Sequence, residues 1–186
     1  MEFQKTPLEG VFVVKVKRLE DERGYFGRVF CEDEFRDHDL APEVVQANMS
    51  TNKLKGTLRG MHYQNDPYQE TKFIRCVRGS LLDVILDLRE SSSTYMQSFG
   101  VELSEGNAKA LYVPRGFAHG FITLEDNTTA LYMVSQRYHP DAESGIRWND
   151  PGFTFNWPME PICVSSKDQS WPDYSKPGDD AQIGEK

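Results

Sequence analysis

The 186-residue chain has no apolar run near the roughly twenty residues of a membrane-spanning helix. It also has no basic surplus: 21 Lys and Arg stand against 29 Asp and Glu, a net charge of −8. That argues against a nucleic-acid partner, which asks for a basic face, and leaves room for a local basic pocket around one phosphorylated small molecule. Cysteine is sparse. Cys31, Cys76 and Cys163 are an odd number without C-x-x-C spacing, which reads as reduced thiols in a cytoplasmic protein. Met1 leads into a polar, charged segment, so no secretory signal is expected. Missing too are a Gly-x-Ser-x-Gly elbow, a Walker lysine loop and a Rossmann glycine fingerprint, so serine hydrolases, P-loop kinases and common dehydrogenases lose weight. No repeat, coiled-coil heptad or interdomain linker is visible. The length suits a single domain, placed at 1–175 and able to bury about two thirds of its surface. The residues 176–186 have no apolar cluster and are expected to be a disordered tail.

What is present is period-two patterning broken by turns. Val11–Lys17, Tyr25–Phe30, Val44–Ser50, Thr57–Tyr63, Lys72–Val77, Leu81–Leu88, Ser98–Leu103, Ala110–Val113, Gly120–Leu124 and Thr128–Ser135 read as strands, and Cys31–His38 as one short helix. In Leu81–Leu88, Leu82, Val84, Leu86 and Leu88 share one face and Asp83 and Asp87 the other, the pattern of a half-buried strand. Many short strands without a long amphipathic helix predict an all-β fold, an antiparallel jelly-roll barrel with short peripheral helices. Prolines at 158, 161, 172 and 177 predict an irregular C-terminal segment.

Four histidines are candidates for chemistry. His38 lies in a charged surface stretch and His139 in a turn before Pro140, and neither is given a role. His62 lies in Gly56–Gln64, where a strand would put Leu58, Gly60, His62 and Gln64 on one face and Arg59, Met61 and Tyr63 on the other. The glycines leave space beside His62 for a ligand. A core histidine bonded to a neighbour fits the same pattern. His119 ends a Pro-x-Gly-x-x-His turn, the second half-motif of cupin barrels, which aims a histidine into the barrel mouth. Such turns often mark metal sites, but the matching first segment, His62-Tyr63-Gln64, lacks a second histidine. Two imidazoles with a distant Glu70 make a thin ligand set. Lys72, Tyr132 and Asp168 are unremarkable on pattern alone.

Taken together, Asp21-Glu-Arg-Gly-Tyr-Phe26, Gly56–Gln64, Lys72-Phe-Ile-Arg-Cys-Val-Arg-Gly79, Tyr112–Gly120, Gly145-Ile-Arg-Trp-Asn-Asp-Pro151 and Ser165-Ser-Lys-Asp168 resemble the dTDP-4-dehydrorhamnose 3,5-epimerases, in order from about residue 5 to 172. The resemblance implies a cupin jelly roll, usually a homodimer, working without metal or organic cofactor on a nucleotide-diphosphate-linked 4-keto-6-deoxyhexose. It also assigns roles. His62 matches the base, Asp168 the carboxylate that orients it, Lys72 the cation beside the C4 oxygen and Tyr132 the acid on the opposite face. Arg23, Arg59, His119, Glu143 and Lys167 match substrate contacts, with the arginines suited to a diphosphate. Tyr138 matches an aromatic that stacks on the base. Two positions near the nucleotide depart: members acting on dTDP sugars carry Glu where this chain has Arg28, and Gln-Asp-Asn where it has Gln46-Ala47-Asn48. An arginine only donates where a carboxylate accepts, so base choice is open to CDP or GDP. Alternatives are a single-position epimerase at C3 or C5, a metal-binding cupin oxygenase and a non-catalytic sugar-binding module.

Overall fold

Short alternating segments close on turns in the computed structural model, which describes residues 1–175. The expected disordered tail, 176–186, lies outside the described residues. In chain order the strands are β1 (Glu2–Lys5), β2 (Phe12–Lys15), β3 (Leu19–Asp21), β4 (Gly24–Phe26), β5 (Gln46–Asn52), β6 (Thr57–Gln64), β7 (Lys72–Arg78), β8 (Ser80–Asp87), β9 (Ser98–Ser104), β10 (Lys109–Val113), β11 (Phe117–Thr123), β12 (Thr128–Val134), β13 (Glu143–Gly145) and β14 (Cys163–Val164). Two helices of five residues, α1 (Glu32–Arg36) and α2 (Ser166–Ser170), lie outside the sheets. One sheet runs β1-β2-β10-β7-β12-β5 and the other β13-β6-β11-β8-β9, with β14 parallel to β6. All other pairings are antiparallel. This is the expected all-β jelly-roll barrel with short peripheral helices.

Alternation sorts each strand between inside and outside. On β7, Ile74 and Cys76 join Val13, Leu81, Ile85, Leu103, Leu111 and Phe121 in the core between the sheets. Phe73, on the other face, packs with Val14 and Tyr112 beneath Phe35 of α1. Outside the second sheet Met61, Val84, Leu86 and Ala118 are covered by Ile146 and Phe155 of the C-terminal segment. Both outer faces are therefore largely roofed. The interior is apolar around Ile85 and Leu111 and turns polar where β5, β6, β7, β11 and β12 present their inward residues.

The structure departs from four expectations. The strand expected over Tyr25–Phe30 stops at Phe26, because β4 pairs only with β3 in a hairpin that joins neither large sheet. β8 is not half-buried: Asp83 and Asp87 are both fully inaccessible, because this central strand has core on one side and a roof on the other. Asp87 is neutralised by Arg89 at 2.7 Å and accepts from Ser92 and Thr94. The alternation of β6 also slips. His62 pairs with His119 and Arg59 with Phe121, so three residues of β6 span two of β11 and Arg59 faces the same cavity as His62. The space at Gly60 is filled by backbone, not by a ligand. A Cβ on Gly60, whose φ is +125°, would fall on the Cα of Gly120 and 2.9 Å from the His119 carbonyl oxygen.

Gly60→Ala is expected to cost about 2–4 kcal/mol, from overpacking against backbone and a left-handed φ. Gly106→Ala, with only the Ser104 hydroxyl 3.9 Å from its Cβ, should change stability by less than about 0.5 kcal/mol. Urea denaturation of both variants checks this; equal midpoints would contradict the packing account.

Candidate active site

The polar half of the barrel holds a two-lobed cavity. An outer lobe of about 400 Å³ includes Gln46, Asn48, Tyr63, Gln64, Glu70, Gln136, Tyr138 and Glu143 in its wall. An inner lobe of about 180 Å³ is lined by Ser50, Arg59, His119 and Phe121. His62, Lys72 and Tyr132 line both and so stand at the junction. Their placement follows from strand phase. Lys72 has the parity of inward Ile74 and Cys76 on β7. Tyr132 has that of Ala130 on β12, and its neighbours across β5 are Asn48 and, two residues on, Gln46 and Ser50.

Each interior histidine is paired with a buried carboxylate. The Nε2 of His62 is 2.6 Å from Asp168 Oδ1, and the Nε2 of His119 is 2.7 Å from Asp83 Oδ1. If Nε2 donates its proton to the acid, Nδ1 of His62 carries the lone pair, as a base requires. Asp168 arrives on α2, where the hydroxyl of Ser165 caps its backbone N–H at 3.0 Å. Its other oxygen accepts from Gly60 N–H at 3.3 Å. Burial pushes this carboxyl up, but the hydrogen bond and charge of His62 outweigh it and hold it below the usual carboxylate range. Burial raises the Tyr132 hydroxyl; Glu70 adds to that and Arg59 opposes it, so the tyrosine keeps its proton at neutral pH.

At the rim Glu143 Oε2 accepts from Tyr138 Oη and Lys167 Nζ, both at 2.5 Å. The ammonium and phenol together hold Glu143 below its ordinary value despite burial. Tyr138 is 57% exposed, open to stacking by a planar ring. Arg59 is held by Asn52 Oδ1 at 2.7 Å.

Of the residues singled out from sequence, the structure brings His62, Lys72, Tyr132, Arg59, His119, Gln46, Asn48, Tyr138 and Glu143 to the cavity wall, with Asp168 and Lys167 bonded to wall residues. It leaves out three. Ala47 points away from the cavity, because Gln46 and Asn48 take the inward parity of β5. Arg23, at the tip of the β3–β4 hairpin, is bound to Asp21 and exposed. Arg28 pairs with Glu34 of α1 at 3.1 Å. Sequence reasoning passed over Gln64, Gln136 and Ser50, and read Asp83 as solvent-facing; for Gln64 the signal was its shared parity with His62. Glu70 was weighed only as a metal ligand. Its carboxylate bonds Lys72 and Gln64 instead, and no three His, Cys, Asp or Glu side chains among the described residues group as a metal site.

Residues 5–176 match the family described as dTDP-4-dehydrorhamnose 3,5-epimerase. The chain belongs to that family. The enzyme of that name from Methanothermobacter thermautotrophicus is 40% identical, over 91% of this chain and 92% of its own. The crystal structure of the Bacillus anthracis dTDP-4-dehydrorhamnose 3,5-epimerase with TDP and PPi bound superposes with a TM-score of 0.90 at 35% identity, covering 93% of this chain and 99% of that one. A relative from Streptomyces niveus named dTDP-4-dehydrorhamnose 3-epimerase is 33% identical over 91% of this chain and 82% of its own. The match places this epimerase-family chain among cupin jelly rolls, as the barrel already indicated.

Because Asp168 titrates below its ordinary value in the folded protein, its contribution to stability is fully present above about pH 4 and is lost as pH falls through the folded value. Asp168→Asn should therefore destabilise the protein by about 1–3 kcal/mol at pH 5, with the gap narrowing toward pH 3. Denaturation of both proteins across that range checks it; a gap independent of pH would contradict the ion-paired assignment.

Proposed function

We propose that the protein inverts C3 and C5 of dTDP-4-dehydro-6-deoxyglucose, giving dTDP-4-dehydrorhamnose, through enolates formed at the cavity junction. One observation carries the reading: a carboxylate-backed histidine, a lysine and a tyrosine that keeps its proton line the same constriction. C3 and C5 both flank the C4 ketone, so loss of either proton gives an enolate. His62 Nδ1 takes the proton, and Asp168 stabilises the imidazolium that results. Lys72 beside the C4 oxygen favours the enolate over the ketone, which is the differential binding that lowers a barrier. Tyr132 then returns a proton from the other side of the ring, the C–H electrons having passed through the enolate and back. Arg59 suits the diphosphate, and Tyr138 an exposed base.

The nucleotide is read as dTDP from the named relatives. A second reading, inversion at C3 alone, is favoured by the relative named a 3-epimerase. The protein is proposed to work as a cytoplasmic homodimer. Three free thiols suit a reducing compartment, and among the described residues no helix is long and apolar enough to cross a membrane. Exposed Phe26, Tyr25, Leu19 and Met49 offer apolar surface for a second copy.

Incubation with dTDP-4-dehydro-6-deoxyglucose in deuterated water should place deuterium at C3 and C5, read by NMR. His62→Ala should lower exchange by about 10³-fold or more, since the base is gone. Tyr132→Phe should retain exchange at one or both carbons while losing inverted product, since His62 can return the proton to the face it came from. Label at C3 alone would establish the second reading. No label in the wild-type protein would overturn both.

A further inference from the structure

Glu70 lies in the connection between β6 and β7, two residues before Lys72, and its side chain is 9% exposed. Its Oε1 is 3.0 Å from Lys72 Nζ. Its Oε2 accepts from Gln64 Nε2 at 2.5 Å. Gln64 is itself fixed. Its two amide hydrogens are shared among Glu70, the Tyr68 carbonyl at 2.9 Å and, more weakly, the Arg137 carbonyl at 3.3 Å, and its oxygen accepts from His139 N–H at 2.6 Å. The backbone on both sides of the cavity mouth thus locks Gln64, Gln64 locks Glu70, and Glu70 grips the ammonium. Among the described residues the other bond to Nζ is a long one of 3.4 Å to the His62 carbonyl.

A buried ion pair is a poor investment in stability, because desolvation offsets much of the attraction. Placed against the cation that faces the reacting oxygen, it also subtracts from the positive field there. What it supplies is position. A lysine is a point charge on a flexible four-carbon stem. Stabilising a developing oxyanion asks for a donor already in place when the charge appears, and a misplacement of about 1 Å can cost about 10²-fold in rate.

We propose that Glu70 is a positioning residue: it holds Lys72 Nζ at the junction of the two lobes, where the C4 oxygen of the substrate is polarised. This rests on the reading of Lys72 as the enolate-stabilising cation. Because the contribution is geometric, a neutral acceptor of the same length serves. In Glu70→Gln the amide oxygen still accepts from Nζ; its NH2 replaces the oxygen that faced Gln64 Nε2, so the two amides draw apart while Gln64 keeps its two carbonyl partners. In Glu70→Ala the ammonium has no acceptor of comparable geometry and samples the cavity.

The test is steady-state and deuterium-exchange kinetics of full-length Glu70→Ala, Glu70→Gln and Lys72→Met on dTDP-4-dehydro-6-deoxyglucose, with thermal midpoints recorded for each. Expected are a kcat about 10–100-fold lower for Glu70→Ala with KM within about threefold of wild type, and a kcat for Glu70→Gln within about fivefold of wild type. Wild-type kcat in Glu70→Ala alongside an inactive Lys72→Met would overturn the inference and leave the enolate reading standing. So would Glu70→Gln as impaired as Glu70→Ala, since charge and not position would then be the requirement. An active Lys72→Met would overturn the enolate reading itself. If Glu70→Ala does not fold, Glu70→Ser in the same assay carries the same expectations.

Discussion

Gly60 and Gly120 face one another across β6 and β11 with no side chain between them. At that contact β6 uses three residues to pass two of β11, and its alternation changes phase. Without the slip, Arg59 and His62 would lie on opposite faces of the strand; with it, both enter the cavity. The same Gly60 gives its N–H to Asp168, so one backbone contact sets the strand, aims the histidine and receives the acid that pairs with it. β-Bulges re-aim side chains in this way near functional sites.

Around this contact the barrel solves a general problem, that of burying polar groups in a core. His62 is matched by Asp168, His119 by Asp83 and Lys72 by Glu70. Each partner comes from a different element: α2, β8 and the β6–β7 connection. Pairing offsets the cost of keeping charge in the interior, although Asp83 Oδ2 and Ser50 Oγ are left without a partner among the described residues. It also fixes three functional atoms that flexible side chains would otherwise scatter, so that acid–base groups and a cation converge on one constriction.

How much of this was legible follows from how each residue signals itself. The jelly roll was visible because alternation with frequent turns is a long, redundant pattern. His62 and His119 stood out through glycines and a turn motif. Lys72, Tyr132 and Asp168 carried no local signal, and only the ordered set of family motifs raised them. Asp83 was misplaced because alternation reports one buried face, whereas β8 has two. Arg59 was put on the wrong face because a bulge leaves little trace in sequence. Ala47 travelled with its flanking residues in a family comparison that parity on β5 does not support. Glu70 was noticed for the wrong chemistry: a carboxylate two residues before a lysine is common, and its meaning comes from Gln64 behind it.

The proposed reaction requires the 4-keto sugar ring to sit at the junction of the two lobes, between His62 and Tyr132 and under Lys72. A crystal structure with dTDP-6-deoxyglucose, which lacks the C4 ketone and so does not react, tests it most directly. The account predicts O4 within hydrogen-bond distance of Lys72 Nζ, His62 Nδ1 on one face of the ring and the Tyr132 hydroxyl on the other. A sugar bound outside the junction, or His62 and Tyr132 meeting the same face, would contradict it.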